Sequence, residues 1–183
     1  MKLVIGLTGS MGAGKTVASD YMHRKYKADQ VRFSQILMDV LDRLYLPKDR
    51  KNLQVLGEMV RKSFGDDVLV NAFRKDLEKS KSDVVVIDGI RYMNEVEMLR
   101  TFKNNVLLFI NAPAEVRYKR VKGRGEKGEG KISFMEFTEN ENRGTEKHLP
   151  EVMEASDYVI DNSKSVEDLY KKIDLILKEK IKK

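Results

Sequence analysis

Hydrophobic positions in this chain fall into two alternating patterns. Short unbroken apolar runs, such as Leu3–Leu7, Val84–Ile87 and the run inside "NVLLFINAP", read as strands buried on both faces. Between them, apolar residues recur at helical spacing. Val17, Ala18, Tyr21, Met22 and Tyr26 mark a helix over 16–27, and further helices are predicted over 36–46, 53–64, 68–79, 94–102, 114–121 and 134–147. Pro47 and Gly65 supply two of the stops. "QVRFS" (30–34) and "SDYVIDN" are shorter strand candidates, which brings the expected strands to five. The chain closes on an amphipathic helix over 165–181, where Ser165 and Asp168 have capping-box spacing and Val166, Leu169, Ile173, Ile176 and Leu177 share a face. Strand–helix alternation of this kind predicts an α/β fold, a parallel sheet in a three-layer α/β/α sandwich.

A length of 183 residues suits one domain over 1–183, with 34–79 as a helical insertion and 114–148 as a lid region. Charged residues make up 35% of the chain and the formal net charge is +6, which suits a protein that handles phosphates and gives no strong reason to expect a nucleic-acid partner. There is no cysteine, which excludes disulfides and thiolate chemistry. The only histidines, His23 and His148, lie far apart, so a zinc site is not expected. No apolar run approaches the length of a membrane span or of a signal-peptide core, and a cytoplasmic protein is the expectation. The sequence does not indicate an oligomeric state.

"GLTGSMGAGKT" changes the picture. Gly9-Ser10-Met11-Gly12-Ala13-Gly14-Lys15-Thr16 matches G-x-x-x-x-G-K-[ST], with a strand before it and a helix after it. Small residues let backbone N–H groups turn inward around a phosphate, and the following helix adds the positive end of its dipole. Lys15 would reach the β- and γ-phosphates and Thr16 would offer its hydroxyl to Mg²⁺. The motif fixes nucleotide binding without choosing among kinase, GTPase and motor ATPase; the lack of an N-K-x-D element disfavours GTPase use, and ATP with Mg²⁺ is the expected cofactor pair.

Three further groups join it. Asp88 ends the strand "VVVID", on the side of a parallel sheet where ligands bind, and is a candidate for Mg²⁺ or for orienting an acceptor; Arg91 follows as a phosphate clamp. Arg117, Arg120 and Arg124 cluster on one helix ahead of "GRGEKGEG", the pattern of a basic lid over a transferring phosphoryl group, with Arg143 and Lys147 on the return. The middle segment offers Ser34, Arg50, Gln54 and Arg61 for an acceptor, while Ile36, Leu37, Val40, Leu41, Leu44, Leu53, Leu56 and Val60 read as core.

On these pieces, together with "RFSQILMDVL", "LQVLGEMVRKSFGDD", "VVIDGIRYMNEVEMLR" and "ASDYVIDNSKSVEDL", the chain resembles P-loop kinases of the nucleoside monophosphate kinase group. The resemblance is to the deoxynucleoside monophosphate kinase-like and dephospho-CoA kinase-like members and to archaeal adenylate-kinase-related proteins. It implies a P-loop NTPase fold with a helical acceptor-binding insertion and a lid. It also implies adenine beside the backbone of Asn162 and an acceptor face near Ser34, Arg61, Asp88 and Arg91. The expected activity is transfer of a phosphoryl group from Mg-ATP to a small phosphorylated acceptor, with Lys15, Asp88, Arg120 and Arg124 closest to the chemistry. Dephospho-CoA kinase is the alternative, weakened because no acid follows "VRFSQI" until Asp39. A P-loop ATPase switch with an RNA or protein partner is the rival from another class.

Overall fold

The computed structural model describes residues 2–124, 133–141 and 147–181, with backbone alone at 50, 124, 140 and 141. Five parallel strands form one sheet in the order β2-β3-β1-β4-β5: β1 (Leu3–Thr8), β2 (Asp29–Arg32), β3 (Val84–Asp88), β4 (Asn105–Asn111) and β5 (Tyr158–Asp161). The expected fold class is the one observed. The central strands β1, β3 and β4 are apolar and buried along nearly their whole length because helices cover both faces of the sheet.

On one face lie α1 (Lys15–Tyr26) and α9 (Val166–Ile181), which bring Ala18, Met22, Leu169, Ile173 and Leu177 onto Leu3, Ile5, Leu7 and Val86. On the other lie α4 (Val68–Lys79), α5 (Met93–Arg100) and α8 (Leu149–Glu154), packing Phe73, Leu77, Val96, Leu99 and Val152 onto Val4, Val85, Ile87 and Leu107. Within the segment 34–79, α4 is therefore part of the sheet-covering layer. Only α2 (Phe33–Arg43) and α3 (Arg50–Phe64) stand out as an insertion. The connection after β4 carries α6 (Ala114–Arg124) and α7 (Phe134–Glu141).

Several expectations need correcting. The second strand ends at Arg32, and Phe33 and Ser34 already belong to α2, because the Phe33 ring turns inward to stack on Phe73. Of the apolar residues expected as core in the insertion, Leu37 and Leu41 are buried, but Val40 is 40% and Leu44 56% exposed, and Leu53, Leu56 and Val60 are half-buried. The inner side of α2 packs on α4 through Phe33 and Ile36, and no second layer covers the outer apolar residues of α2 and α3 among the described residues. The sequence pattern also missed α8, a short helix with a proline in its first turn. The helix expected over 134–147 is seen to 141, residues 142–146 lie outside the described residues, and so does the glycine-rich stretch 125–132. No helix among the described residues is long and apolar enough to cross a membrane.

The far end of α1 is tied to α9 by one carboxylate. Asp174 accepts from the hydroxyls of Tyr21 and Tyr26, each at 2.7 Å, and pairs with Lys25 at 2.6 Å, while the Tyr21 and Tyr170 rings stack at 3.8 Å. Burial foremost, then the Asp174 contact, pushes the Tyr26 hydroxyl up to about 12. Asp174→Ala leaves two phenols and an ammonium without their shared acceptor, and a loss of about 2 kcal/mol is expected in chemical denaturation; an unchanged midpoint would show that the cluster is only surface decoration.

Candidate active site at the strand carboxyl ends

The loop from Gly9 to Gly14 leaves β1 and enters α1 along a path that only glycine can follow at three points. Gly9, Gly12 and Gly14 have φ of +133°, +76° and +106°, where side chains are strained. Space forbids them too. A Cβ on Gly9 would lie 2.1 Å from the carbonyl oxygen of Ile110, and one on Gly14 would lie 2.3 Å from Nδ2 of Asn162. The loop is thus wedged between β4 and the segment after β5. Gly14 is the N-cap of α1 and has no side chain to satisfy the first-turn N–H groups, so these face the loop as anion donors.

Lys15 folds over this loop, donating from Nζ to the carbonyls of Gly9 (2.7 Å) and Ser10 (3.0 Å). Arg91 reaches the same Gly9 oxygen, Nη1 donating at 3.0 Å. Two cations therefore converge on one carbonyl at the mouth of the loop. Thr16, next in α1, is exposed. Asp88 ends β3 in register with Leu7 of β1 and Arg32 of β2, and its carboxylate, 11% exposed, pairs with Nε of Arg32 at 3.3 Å. Sequence reasoning missed Arg32; the available signal was a charged residue at the carboxyl end of a candidate strand.

Asn162 is 5% exposed and braces the loop from the other flank. Its Nδ2 donates to the carbonyl of Ala13 at 2.7 Å, and its Oδ1 is buried without a hydrogen-bond partner. Arg120 donates from Nη2 to the Asn162 carbonyl at 2.9 Å, so Arg120, read from the arginine cluster, and Asn162, implied by the family resemblance, stand together. Arg117 is only 8% exposed. Its Nε donates to Ala112 and its Nη1 to Met11, and its guanidinium lies over the Phe137 ring. It supports the loop from below rather than closing over it, a correction to its expected place in a lid. The side chains of Arg50 and Arg124 lie outside the described residues, as does Arg143.

On the insertion side, the Arg61 guanidinium of α3 sits 5.0 Å from the centroid of the Tyr92 ring, and the His148 ring packs on Tyr92 at 5.1 Å. Burial raises the Tyr92 hydroxyl above its ordinary range. Ser34 is half-buried in the first turn of α2, two residues beyond Arg32. Glu95, also missed, is 4% exposed at the start of α5, and its Oε2 accepts from the backbone N–H of Arg91 (2.7 Å) and of Tyr92 (3.3 Å). The signal for it was an acid three residues into a helix, the acidic half of a capping box. Burial pushes the Glu95 carboxyl up to about 7 against the opposing pull of those N–H groups and of Arg61 and Arg91.

A glycine loop, its lysine and a parallel sheet of this order define a P-loop protein with a kinase-like α/β fold. The AAA domain family model matches residues 5–148. The chain is 31% identical over 178 residues to the UPF0200 protein of Pyrobaculum aerophilum, covering 96% of this chain and 97% of that protein. It is 29% identical over 179 residues to the UPF0200 protein of Methanocaldococcus jannaschii, covering 97% and 90%. It therefore belongs to the AAA domain family and to the UPF0200 proteins. Among solved structures, shikimate kinase from Bacteroides thetaiotaomicron aligns with a TM-score of 0.61 at 18% identity, covering 96% of this chain and 98% of that one. Shikimate kinase from Aquifex aeolicus aligns with a TM-score of 0.58 at 20% identity, covering 96% of each. These two likenesses are of fold.

Two outcomes follow from this geometry. Gly14→Ala combines a strained φ with a contact at 2.3 Å, so nucleotide affinity should fall at least about tenfold in calorimetric titration with Mg-ADP. For Glu95, a carboxyl raised from 4.5 to about 7 makes the folded state hold its proton where the unfolded chain has released it. Wild-type stability should thus decline as pH rises through that window. Glu95→Gln removes the ionisation, so denaturant melts from pH 5 to pH 8 should show the variant gaining on the wild type by roughly 2–3 kcal/mol. A gain in the opposite direction would mean that the carboxylate form is the one the fold prefers.

Proposed function

We propose that this protein transfers the γ-phosphoryl group of ATP to a small phosphorylated acceptor, with nucleoside and deoxynucleoside monophosphates as the leading class. The observation that carries this reading is the meeting of Lys15 and Arg91 on the Gly9 carbonyl, between a helix N-terminus on one flank and Arg61 on the other. A bare nucleotide switch needs the loop and its lysine. It has no need of further guanidinium groups on the insertion side, whereas holding two phosphorylated molecules end to end does.

In this reading the loop amides of Ser10 to Thr16 cradle the donor phosphates. Lys15 leaves its two loop carbonyls for the β- and γ-phosphates, exchanging neutral acceptors for charged ones. Mg²⁺ suits the hard oxygen donors here, the exposed Thr16 hydroxyl and the Asp88 carboxylate, and when bound it supplies charge neutralisation between the phosphates. Asp88 is aimed by Arg32, and together with Ser34, Arg50 and Arg61 it would face the acceptor, while Arg91, on the Gly9 carbonyl beside Lys15, would stand between the acceptor and the terminal phosphate of the donor. A phosphate oxygen of the acceptor is already nucleophilic, so the site has no need of a strong general base. Arg120, tied to the Asn162 carbonyl, borders the nucleotide's base side and with Arg124 would cover the donor. Excluding water while the group moves would favour transfer over hydrolysis.

The test is release of ADP from Mg-ATP across the common ribo- and deoxyribonucleoside monophosphates, dephospho-CoA, shikimate and a control without acceptor. Turnover should require an acceptor and concentrate on one or a few monophosphates. A response to dephospho-CoA or shikimate alone would reassign the acceptor, and turnover indifferent to all of them would contradict the proposal. In the responsive reaction, Lys15→Ala should lower kcat/KM by at least about 10²-fold, the scale of removing one electrostatic stabiliser of a transferring group.

A further inference from the structure

Glu95 is a buried acid that the reading above leaves without a task. It sits at the start of α5, 4% exposed, and the charged or titratable groups around it come from three directions. Arg91 and Tyr92 precede it in the chain, Arg61 projects from α3, and Glu58 of α3 and the His148 ring lie near Tyr92. A carboxyl that only capped a helix could do so from the surface, as Asp49 does for α3 by accepting from Asn52. Burial here is costly, so its geometric consequence is informative.

That consequence is specific. One oxygen, Oε2, accepts both the Arg91 and the Tyr92 N–H groups. These two residues carry their side chains to different partners. Arg91 reaches the Gly9 carbonyl beside Lys15, and Tyr92 lies under Arg61. Ahead of them the chain turns sharply, with Gly89 at φ +92° and the N–H groups of Gly89 and Ile90 both donating to the Leu7 carbonyl, at 3.0 and 2.9 Å. The segment is thus pinned at one end to β1 and at the other to Glu95, with the two ligand-facing side chains at the Glu95 end.

We propose that Glu95 is the positioning residue of this site: by holding the backbone of Arg91 and Tyr92 it sets the Arg91 guanidinium at the mouth of the glycine loop, where it meets the terminal phosphate of the donor, and sets the Tyr92 ring that supports Arg61. The proposal rests on the reading that the loop binds ATP. Arg91 touches the ligand and Glu95 acts through it.

The experiment compares Mg-ADP with the non-hydrolysable triphosphate AMP-PNP, also with Mg²⁺, by calorimetric titration of the full chain. A residue serving the terminal phosphate affects the second ligand and spares the first. Arg91→Ala and Glu95→Ala should each lower AMP-PNP affinity about tenfold or more, with ADP affinity changed less than about twofold. The double variant should be no weaker than Arg91→Ala alone. Glu95→Gln, whose amide oxygen can accept the same two N–H groups, should restore the wild-type ratio. Equal losses for both ligands, or no rescue by glutamine, would reduce Glu95 to a structural acid and overturn the proposal. An unchanged ratio in a folded Glu95→Ala variant would overturn it as well. If the wild type binds neither nucleotide, the ATP reading fails on its own account. Hydrogen exchange in the ligand-free protein then decides the positioning claim: the Arg91 and Tyr92 amides should exchange at least about tenfold faster in Glu95→Ala and stay protected in Glu95→Gln, and unaltered exchange in Glu95→Ala would refute it.

Discussion

Backbone meets backbone at Gly9, so closely that a single added carbon would lie 2.1 Å from the Ile110 carbonyl. That contact is possible because β1 and β4 are adjacent parallel strands, and the chain must leave one over the end of the other. The rest of the site depends on it. With Gly9 held down, the loop has room to curl back toward α1. Asn162 can then close against Ala13 and Gly14 from the β5 side, and Arg117 can fill the space beneath Met11. The loop's shape therefore rests on elements spread from residue 9 to residue 162, which fixes its backbone path before any ligand arrives.

Charge organises the remaining geometry. The strand ends and the helices that follow them carry Lys15, Arg32, Arg91 and Arg120, of which Lys15 and Arg91 donate to the Gly9 carbonyl, Arg120 to the Asn162 carbonyl, and Arg32 pairs with Asp88. Backbone oxygens orient cations without neutralising them, so these contacts aim the side chains and leave their charge for an anion such as a polyphosphate. The buried acid Glu95 is set back from this row, and its contacts are to backbone N–H groups. It therefore holds the segment carrying Arg91 through the backbone, and the guanidinium itself is left on the Gly9 carbonyl.

Much of this was legible in the sequence because it is local. Five strands, the parallel sheet and the glycine loop each announce themselves within a dozen residues, Asp88 and Arg91 fall at and just after a strand end, and Arg120 lies on a helix whose register the pattern gives; Asn162 is implied by the family resemblance. What stayed hidden depends on contacts between distant segments. The Arg32–Asp88 pair requires β2 to lie beside β3, although the two are separated by three helices. Arg117 reads as a surface cation until α6 is packed over the loop and the Phe137 ring. The half-exposed apolar residues of α3 have the same period as a core helix, and only its position away from the sheet separates the two cases. Glu95 looks like an ordinary early-helix acid, and its burial is set by the layer formed from α4, α5 and α8.

The central claim is that this cleft passes a phosphoryl group to another molecule rather than to water. Its most direct measurement follows the phosphorus itself: ATP labelled with ³²P at the γ position, Mg²⁺ and the protein are incubated with a fractionated small-molecule cell extract, and the label is traced by chromatography. The account predicts label in an organic phosphate product that forms with the wild type and not with Lys15→Ala. Label recovered only as inorganic phosphate, at a rate the extract does not alter, would contradict it.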